Sequence, residues 1–511
     1  MIRDIRDLPD GTHLKADIVI IGGGMAGISF AREWVGHDKT VLILESGGLT
    51  NDDETQDLYK GEATLSGPMG ITRQVDSQLH LARARFYGGS INWWSGVCVP
   101  IQSEAFEPRP WLGEKGWPMS RADLQPYYDR ACDALSVRRY DGAADSKLKE
   151  IDAYLDTQNS EGILNQPQQV SKVTKKNREH AVTFVTDYLK APNIAAFLYA
   201  NVTRFEIGND HSSIRHVEVT TLSKKTFKVT GEHYILACGG IENARLLLAS
   251  NKLHNTRFGE RSNALGRYFQ SHLRGYKERT KTSAGSDIHF SKAKNFDNYM
   301  YKRETKPEHA ALILSDGAQR KYESTVMEVS LFPYEYRGLP DELAIRQVAT
   351  NIDRQDYTTE RGRHCVFIYD AEQLPNPDSR ITLSETTDAL GIPRVDLKWT
   401  FMDKDIEGLK NGVKGMACEL GTSGIGRICF PVTDDEIITS ADISGHHIGT
   451  TRMDDDPQHG VVDANLKCHD VDNLYVVGSS VFPTCGAANP TLTIVALSIR
   501  LADHIKETVS L

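Results

Sequence analysis

The sequence predicts an α/β fold in which a nucleotide-binding domain with a parallel sheet is joined to a second domain with a mainly antiparallel sheet. Three observations predict it. An apolar run at 17–21 passes directly into Gly22-Gly23-Gly24-Met25-Ala26-Gly27 and then into a helical pattern. From about 274 to 428 the chain alternates apolar and polar residues in strand-length runs with long polar connections. The last stretch, 445–511, returns to a short apolar strand and a long amphipathic helical pattern.

In chain order, the first element is the most informative. The helical pattern after the glycines continues through Phe30, Ala31 and Trp34, and a second apolar run, Val41-Leu42-Ile43-Leu44, ends in Glu45. Strand, G-x-G-x-x-G, helix, strand and acid is the order of a dinucleotide-binding unit. Gly22 allows the tight turn, Gly24 lets the backbone approach a pyrophosphate, and Gly27 lets helix and strand pack closely. Met25 and Ala26, between these glycines, are expected to contact the cofactor as well. Glu45 falls at the spacing, ~20 residues on, where a carboxylate accepts bonds from ribose hydroxyls. The fingerprint by itself does not separate NAD from FAD.

The segment 51–80 is polar and mixed. It leads into Arg83-Ala84-Arg85-Phe86-Tyr87-Gly88-Gly89-Ser90-Ile91-Asn92-Trp93-Trp94-Ser95-Gly96. Paired glycines and small polar residues beside two tryptophans suit a loop pressed against a flat aromatic ligand; a tight turn flanked by core aromatics is the alternative. A turn at 116–120 precedes a surface helix at 122–131. Runs at 205–207, 214–220 and 226–229 form a meander, and 234–238 is a buried strand. Gly239-Gly240 then opens a helix over 241–250. This second βα turn implies that the nucleotide domain resumes here. It is discontinuous: residues 1–273 plus 429–511, with an insertion at about 100–195. Residues 274–428 form the substrate-binding domain, with strands at 311–314, 326–332 and 365–369 and a helix over 403–421.

The C-terminal stretch holds a His446-His447 pair, Gly449-Thr450-Thr451, the apolar strand 474–478, and Asn489-Pro490 before the final helix. Pro is favoured at the first helical position and Asn at the cap before it, so Asn489 is expected to cap a helix starting at Pro490. A helix N-terminus carries roughly half a positive charge. Aimed at a reducible ring, it favours the negative charge that hydride uptake brings.

A chain of 511 residues suggests two or three domains. The net charge of −10 argues against a nucleic-acid partner. No run approaches the ~20 apolar residues of a membrane span and no apolar signal core opens the chain, so a soluble, cytoplasmic protein is expected. The eight cysteines show no C-x-x-C pairing and are expected to be reduced, small core residues. No metal site is expected, and the oligomeric state is not legible.

The N-terminal fingerprint, the 86–96 loop, Ala237-Cys238-Gly239-Gly240-Ile241-Glu242-Asn243-Ala244-Arg245, Asn376-Pro377-Asp378-Ser379-Arg380 and the C-terminal stretch form an ordered set. Together they resemble the glucose–methanol–choline (GMC) family of FAD-dependent oxidoreductases. The resemblance spans nearly the whole chain, is strong at both ends, and is weak at about 282–357. Within the family, His446-His447-Ile448-Gly449-Thr450 and Gly486-Ala487-Ala488-Asn489-Pro490-Thr491 are most similar to the pyranose-oxidase branch, including bacterial glycoside oxidases. The resemblance implies FAD as cofactor in a Rossmann-like domain, facing a mainly antiparallel substrate-binding domain. Gly22, Gly24, Gly27 and Glu45 would hold the ADP half, with Val202 and Ala237 near the adenine. Gly89, Asn92, Trp94 and Ser95 would lie along the isoalloxazine ring. Gly478 and Thr491 would approach the pyrophosphate and the ring's carbonyl edge. His446 takes the place of the family's catalytic histidine and Asn489 that of its partner. One departure stands out. Fungal pyranose oxidases bond a histidine covalently to the flavin where this chain has Trp93, so non-covalent FAD is implied.

Oxidising an alcohol removes a hydroxyl proton and a hydride from one carbinol. A neutral imidazole titrating near pH 6.5 is suited to take the proton. His446 is the expected base and Asn489 the group that positions the oxygen. His447 competes; spacing does not choose between adjacent histidines, and the resemblance decides for His446. The implied substrate is a sugar, glycoside or related polyol, with oxygen or another electron acceptor. Two alternatives remain: a non-redox FAD-containing lyase of the same fold, and a dehydrogenase for an aminosugar or non-sugar alcohol.

Overall fold

The computed structural model describes residues 1–75, 79–140, 161–174, 177–208, 212–274, 286–290, 308–333, 363–424, 426–428, 437–438, 441, 443 and 445–509. Its nucleotide-binding half is a six-stranded, wholly parallel sheet. The strands run in the order Ile2–Asp4, Ile194–Leu198, Val41–Leu44, Ile18–Ile21, His233–Leu236 and Leu474–Val476. Ile18–Ile21 and Val41–Leu44 are buried at every position, as a parallel sheet covered on both faces requires. The helix Met25–Arg32 packs on the C-terminal helix Thr491–Val509, which also packs on Arg121–Ala134. Phe30 and Trp34 are fully buried, each worth roughly 1.5–3 kcal/mol or more in transfer terms.

The expected second sheet is present and antiparallel. Its order is Gly426–Ile428, Ser286–Phe290, Arg363–Ala371, Met327–Pro333, Glu308–Leu314, Ile163–Val170 and Val97–Cys98, with Leu273–Arg274 paired to Arg363–Ala371. The helix Asp403–Thr422 lies against it. The expected meander is also observed, as Asn201–Ile207, Ile214–Thr220 and Thr226–Thr230, extended by His13–Lys15.

One segment differs from the sequence reading. The stretch read as polar and mixed contains a helix, Asp53–Asp57, and strands Gly61–Ser66 and Thr72–Gln74. Gly61–Ser66 pairs in parallel with Pro393–Thr400, a partner more than three hundred residues away that no local pattern announces. The surface helix expected at 122–131 is present as Arg121–Ala134, with one face buried and the other exposed. It starts on a Ser120–Asp123 capping box, and Leu124, Tyr128, Ala131 and Cys132 are buried.

Cys98, Cys132, Cys468 and Cys485 are buried free thiols, Cys238 is half-buried and Cys418 exposed; Cys365 and Cys429 lie outside the described side chains. Among the described residues no helix is long and apolar enough to cross a membrane. The described residues also contain no group of three or more His, Cys, Asp or Glu placed to hold a metal ion.

Candidate active site

The carboxyl ends of four parallel strands open on one cavity of about 780 Å³, within the ~300–1,000 Å³ range of small-molecule and cofactor sites. Three helices point their N-terminal ends at it: Met25–Arg32, Gly239–His254 and Thr491–Val509. Unpaired N–H groups and the positive ends of three helices make this a place for an anion such as a pyrophosphate.

The glycine fingerprint works sterically. Gly22 has φ +107°, and a Cβ there would lie 2.6 Å from the Ala237 carbonyl oxygen. A Cβ on Gly27 would lie 2.1 Å from the Gly22 carbonyl oxygen, so turn and helix interlock only with glycine at both places. Gly22, Gly24, Met25 and Ala26 line the cavity, whereas Gly27 packs behind it. Glu45 also lines it and is buried. Its Oε2 accepts from the Gly23 N–H at 2.9 Å, and its Oε1 from the Gly47 N–H at 2.8 Å. The carboxylate thus shapes the turn and the following loop.

From the aromatic loop, Gly89, Trp94 and Ser95 line the cavity. Asn92 does not. Its amide donates to the carbonyls of Tyr87 at 3.1 Å and Gly89 at 2.9 Å, which makes it the brace of its own turn. Trp93 lines the cavity with 37% of its surface exposed, edge-on to Phe86. Val202 and Ala237 line one side, Gly478 and Thr491 another.

A buried charge cluster on the wall went unread in the sequence. Glu242, in the first turn of Gly239–His254, pairs with Arg83 at 2.7 Å, Arg85 at 3.2 Å and Arg245 at 3.1 Å. Arg245 continues to Asp388 at 2.7 Å. Burial pushes the Glu242 carboxyl up, but the three guanidiniums outweigh it and hold the group down at about 2. The i,i+3 spacing of Glu242 and Arg245 was the one local signal; Arg83 and Arg85 lie about 160 residues away.

His446 and Asn489 meet. The Asn489 amide Nδ2 is 3.1 Å from His446 Nε2. The C-terminal helix corrects one expectation. It starts at Thr491, and the first helical bond is accepted by the Pro490 carbonyl, from Ile494 at 2.9 Å. Asn489 therefore sits one residue outside the cap position, with its side chain turned to the imidazole. His447 lines the cavity beside His446, and its ring lies 6.1 Å from that of Phe269. Its carbonyl accepts from Ser479 Oγ at 2.6 Å.

On the far side of His446 stands a residue the sequence did not single out. His272 places its Nδ1 3.0 Å from His446 Nδ1. A two-way backbone pairing of Gln270 with Ile448 sets this contact, because two residues further along an antiparallel pair 272 comes opposite 446. Burial lowers the pKa of His446 well below that of a free imidazole, and His272 and Arg274 add to it while Asp370 opposes. His446 is thus neutral at pH 7, the form that can accept a proton.

Residues 375–498 match the family model described as GMC oxidoreductase. The fructose dehydrogenase large subunit of Gluconobacter japonicus is 26% identical over 328 residues, 62% of this chain; the chain spans 55% of that relative's length. A 6'''-hydroxyparomomycin C oxidase of Streptomyces lividus is 23% identical over 559 residues, which cover 96% of this chain and 92% of that protein. The solved pyridoxine 4-oxidase from Mesorbium loti shares the fold, with a TM-score of 0.60 at 18% identity over 96% of this chain and 99% of that one. The family match falls on the stretch that carries His446 and Asn489, and the chain is similar there to the GMC oxidoreductases.

Proposed function

We propose that the protein oxidises an alcohol carbon of a sugar, glycoside or related polyol to the carbonyl, with His446 as general base. The observation that carries this reading is the 3.1 Å contact between a half-buried, neutral His446 and Asn489 beside the cavity. FAD, when bound, supplies the hydride acceptor. The residues present fit that cofactor: three helix N-termini, a glycine turn that no Cβ could enter, and Glu45 on the cavity wall, where a carboxylate could accept from a ribose. His446 Nε2 takes the hydroxyl proton, and Asn489 holds the oxygen so that the carbinol C–H is oriented for transfer. Two relatives that align over 96% of this chain are named 6'''-hydroxyparomomycin C oxidase and paromamine 6'-oxidase, which supports a sugar-type alcohol and oxygen as acceptor.

Anaerobic mixing with a panel of alcohols, sugars and glycosides tests the reading. Bleaching of the flavin band by a sugar or glycoside, with a carbonyl product, is the expected result. Aldehyde release from a cyanohydrin without bleaching would instead identify a lyase.

The FAD is held without a covalent bond, because the indole of Trp93 stands where a linking histidine would be needed. Acid precipitation should therefore leave all the flavin in the supernatant, and yellow protein in the pellet would refute this. Glu45→Ala should weaken FAD binding roughly tenfold or more, since hydrogen bonds to a charged group contribute roughly 1.5–3 kcal/mol. Titration of the apoprotein with FAD measures it, and an unchanged Kd would remove Glu45 from the ribose site.

A further inference from the structure

The two Nδ1 atoms of His272 and His446 are 3.0 Å apart, with the rings 4.8 Å apart and nearly perpendicular. At that distance one Nδ1 must carry a hydrogen and the other must not, because two lone pairs or two N–H groups would repel. The other end of His446 selects between them. Asn489 Nδ2 is a donor, so His446 Nε2 accepts and the ring's single hydrogen sits on Nδ1, pointing at His272. His272 Nδ1 is then bare, and its own hydrogen sits on Nε2.

From this geometry we propose that His272 is a positioning residue for the base: it holds His446 in the tautomer with a bare Nε2 and receives the Nδ1 proton when Nε2 is protonated. The inference rests on His446 being the base. The balance is simple. The substrate O–H bond breaks and its proton forms a bond to His446 Nε2. The Nδ1–H bond of His446 breaks and that proton joins His272 Nδ1, so the positive charge moves one ring away from the reacting carbon.

Burial disfavours a cation on His272, and the charges around it offset that only in part. Asp370 follows on the strand that pairs with Leu273–Arg274, and Arg274 binds it through two hydrogen bonds of 2.7 and 2.8 Å. Burial pushes the Asp370 carboxyl up, yet Arg274 outweighs it and keeps the group ionised. Burial lowers His272, whereas Asp370, the Cys485 backbone and Glu372 favour its charged form and Arg274 opposes it. His446 faces His272 directly, with His447 adjacent in the chain. His272 is therefore neutral at rest, with a carboxylate near enough to stabilise a proton that arrives.

The test uses the FAD-loaded protein and three chains: wild type, His272→Gln and His272→Phe. Nitrogen NMR of histidine-labelled protein reads the tautomer directly. Wild type is expected to show His446 protonated on Nδ1, and His272→Phe to weaken that preference, leaving Asn489 alone to favour it. The Gln variant, whose amide oxygen can accept the Nδ1–H but cannot take the proton, should restore the tautomer. Anaerobic flavin reduction should be slowed about 10–100-fold in His272→Phe, the range seen when a partner that orients a metal-ligating histidine is lost. In His272→Gln it should stay slow, with the substrate dependence little changed. A wild-type His446 protonated on Nε2, or a His272→Gln variant that reduces at the wild-type rate, would overturn the proposal. If no alcohol reduces wild type, the reaction reading fails alone, and the NMR arm still decides the role of His272. Should His272→Phe fail to fold, the Gln variant and the wild-type spectrum decide.

Discussion

His446→Ala is expected to slow flavin reduction by about 10²–10⁴-fold, the usual contribution of a general base, while FAD stays bound. Retention follows from the geometry. The imidazole is held between Asn489 and His272, and neither contact anchors the pyrophosphate or ribose end of the cavity. Asn489→Ala should also slow reduction, because it removes the group beside Nε2. Its effect should stop there. The helix behind it is capped at Pro490, so the flavin potential should not move. His447→Ala should reduce at close to the wild-type rate, with a stability loss from its packing against Phe269. Stopped-flow reduction of the three variants separates these outcomes. Normal reduction in His446→Ala together with its loss in His447→Ala would show that the base is the neighbouring residue.

The second large effect is expected at Gly240. A Cβ there would lie 2.0 Å from the His447 carbonyl oxygen and 2.5 Å from its carbon. Both are backbone atoms, so no side chain can turn aside. The same carbonyl is clamped from the other side by Ser479 Oγ at 2.6 Å. Gly240→Ala must therefore move the 446–447 segment or the first turn of Gly239–His254. Overpacking of this kind costs typically 1–3 kcal/mol, occasionally more, and a shift of about 1 Å at a reacting centre slows chemistry on the order of 10²-fold. Both a lowered denaturation midpoint and a slowed reduction are expected. Gly421→Ala is the control: it sits on an exposed helix position with nothing within 4 Å and should be neutral or slightly stabilising. Equal behaviour of the two variants would show that the close approach at Gly240 is not rigid.

Parts of the fold and site differ in how far they could be read without coordinates. The Gly22–Glu45 unit is contiguous, and each requirement falls on a residue type that few others could replace. The strands Glu308–Leu314, Met327–Pro333 and Arg363–Ala371 declare themselves as apolar runs of strand length. The pairing of Gly61–Ser66 with Pro393–Thr400 does not, because a short half-buried strand of small residues has no distinctive pattern of its own. Asn92 and Asn489 show a finer limit. Their positions were legible, but the direction of each amide depends on which acceptor the folded chain brings near. For Asn92 those are carbonyls of its own turn, and for Asn489 the contact is an imidazole 43 positions away.

The sequence by itself determined the nucleotide-binding unit, the class of cofactor through the family resemblance, and the candidate base with its partner. These rest on local spacing and on residue types with narrow chemical uses. Only the tertiary structure decided what stands behind the base and around the cofactor wall. His272 reaches His446 across 174 positions through one antiparallel backbone pairing, and Arg83 and Arg85 reach Glu242 across about 160. Such contacts form when separate strands and loops close over a common core, and their geometry has no trace in the residues on either side of them.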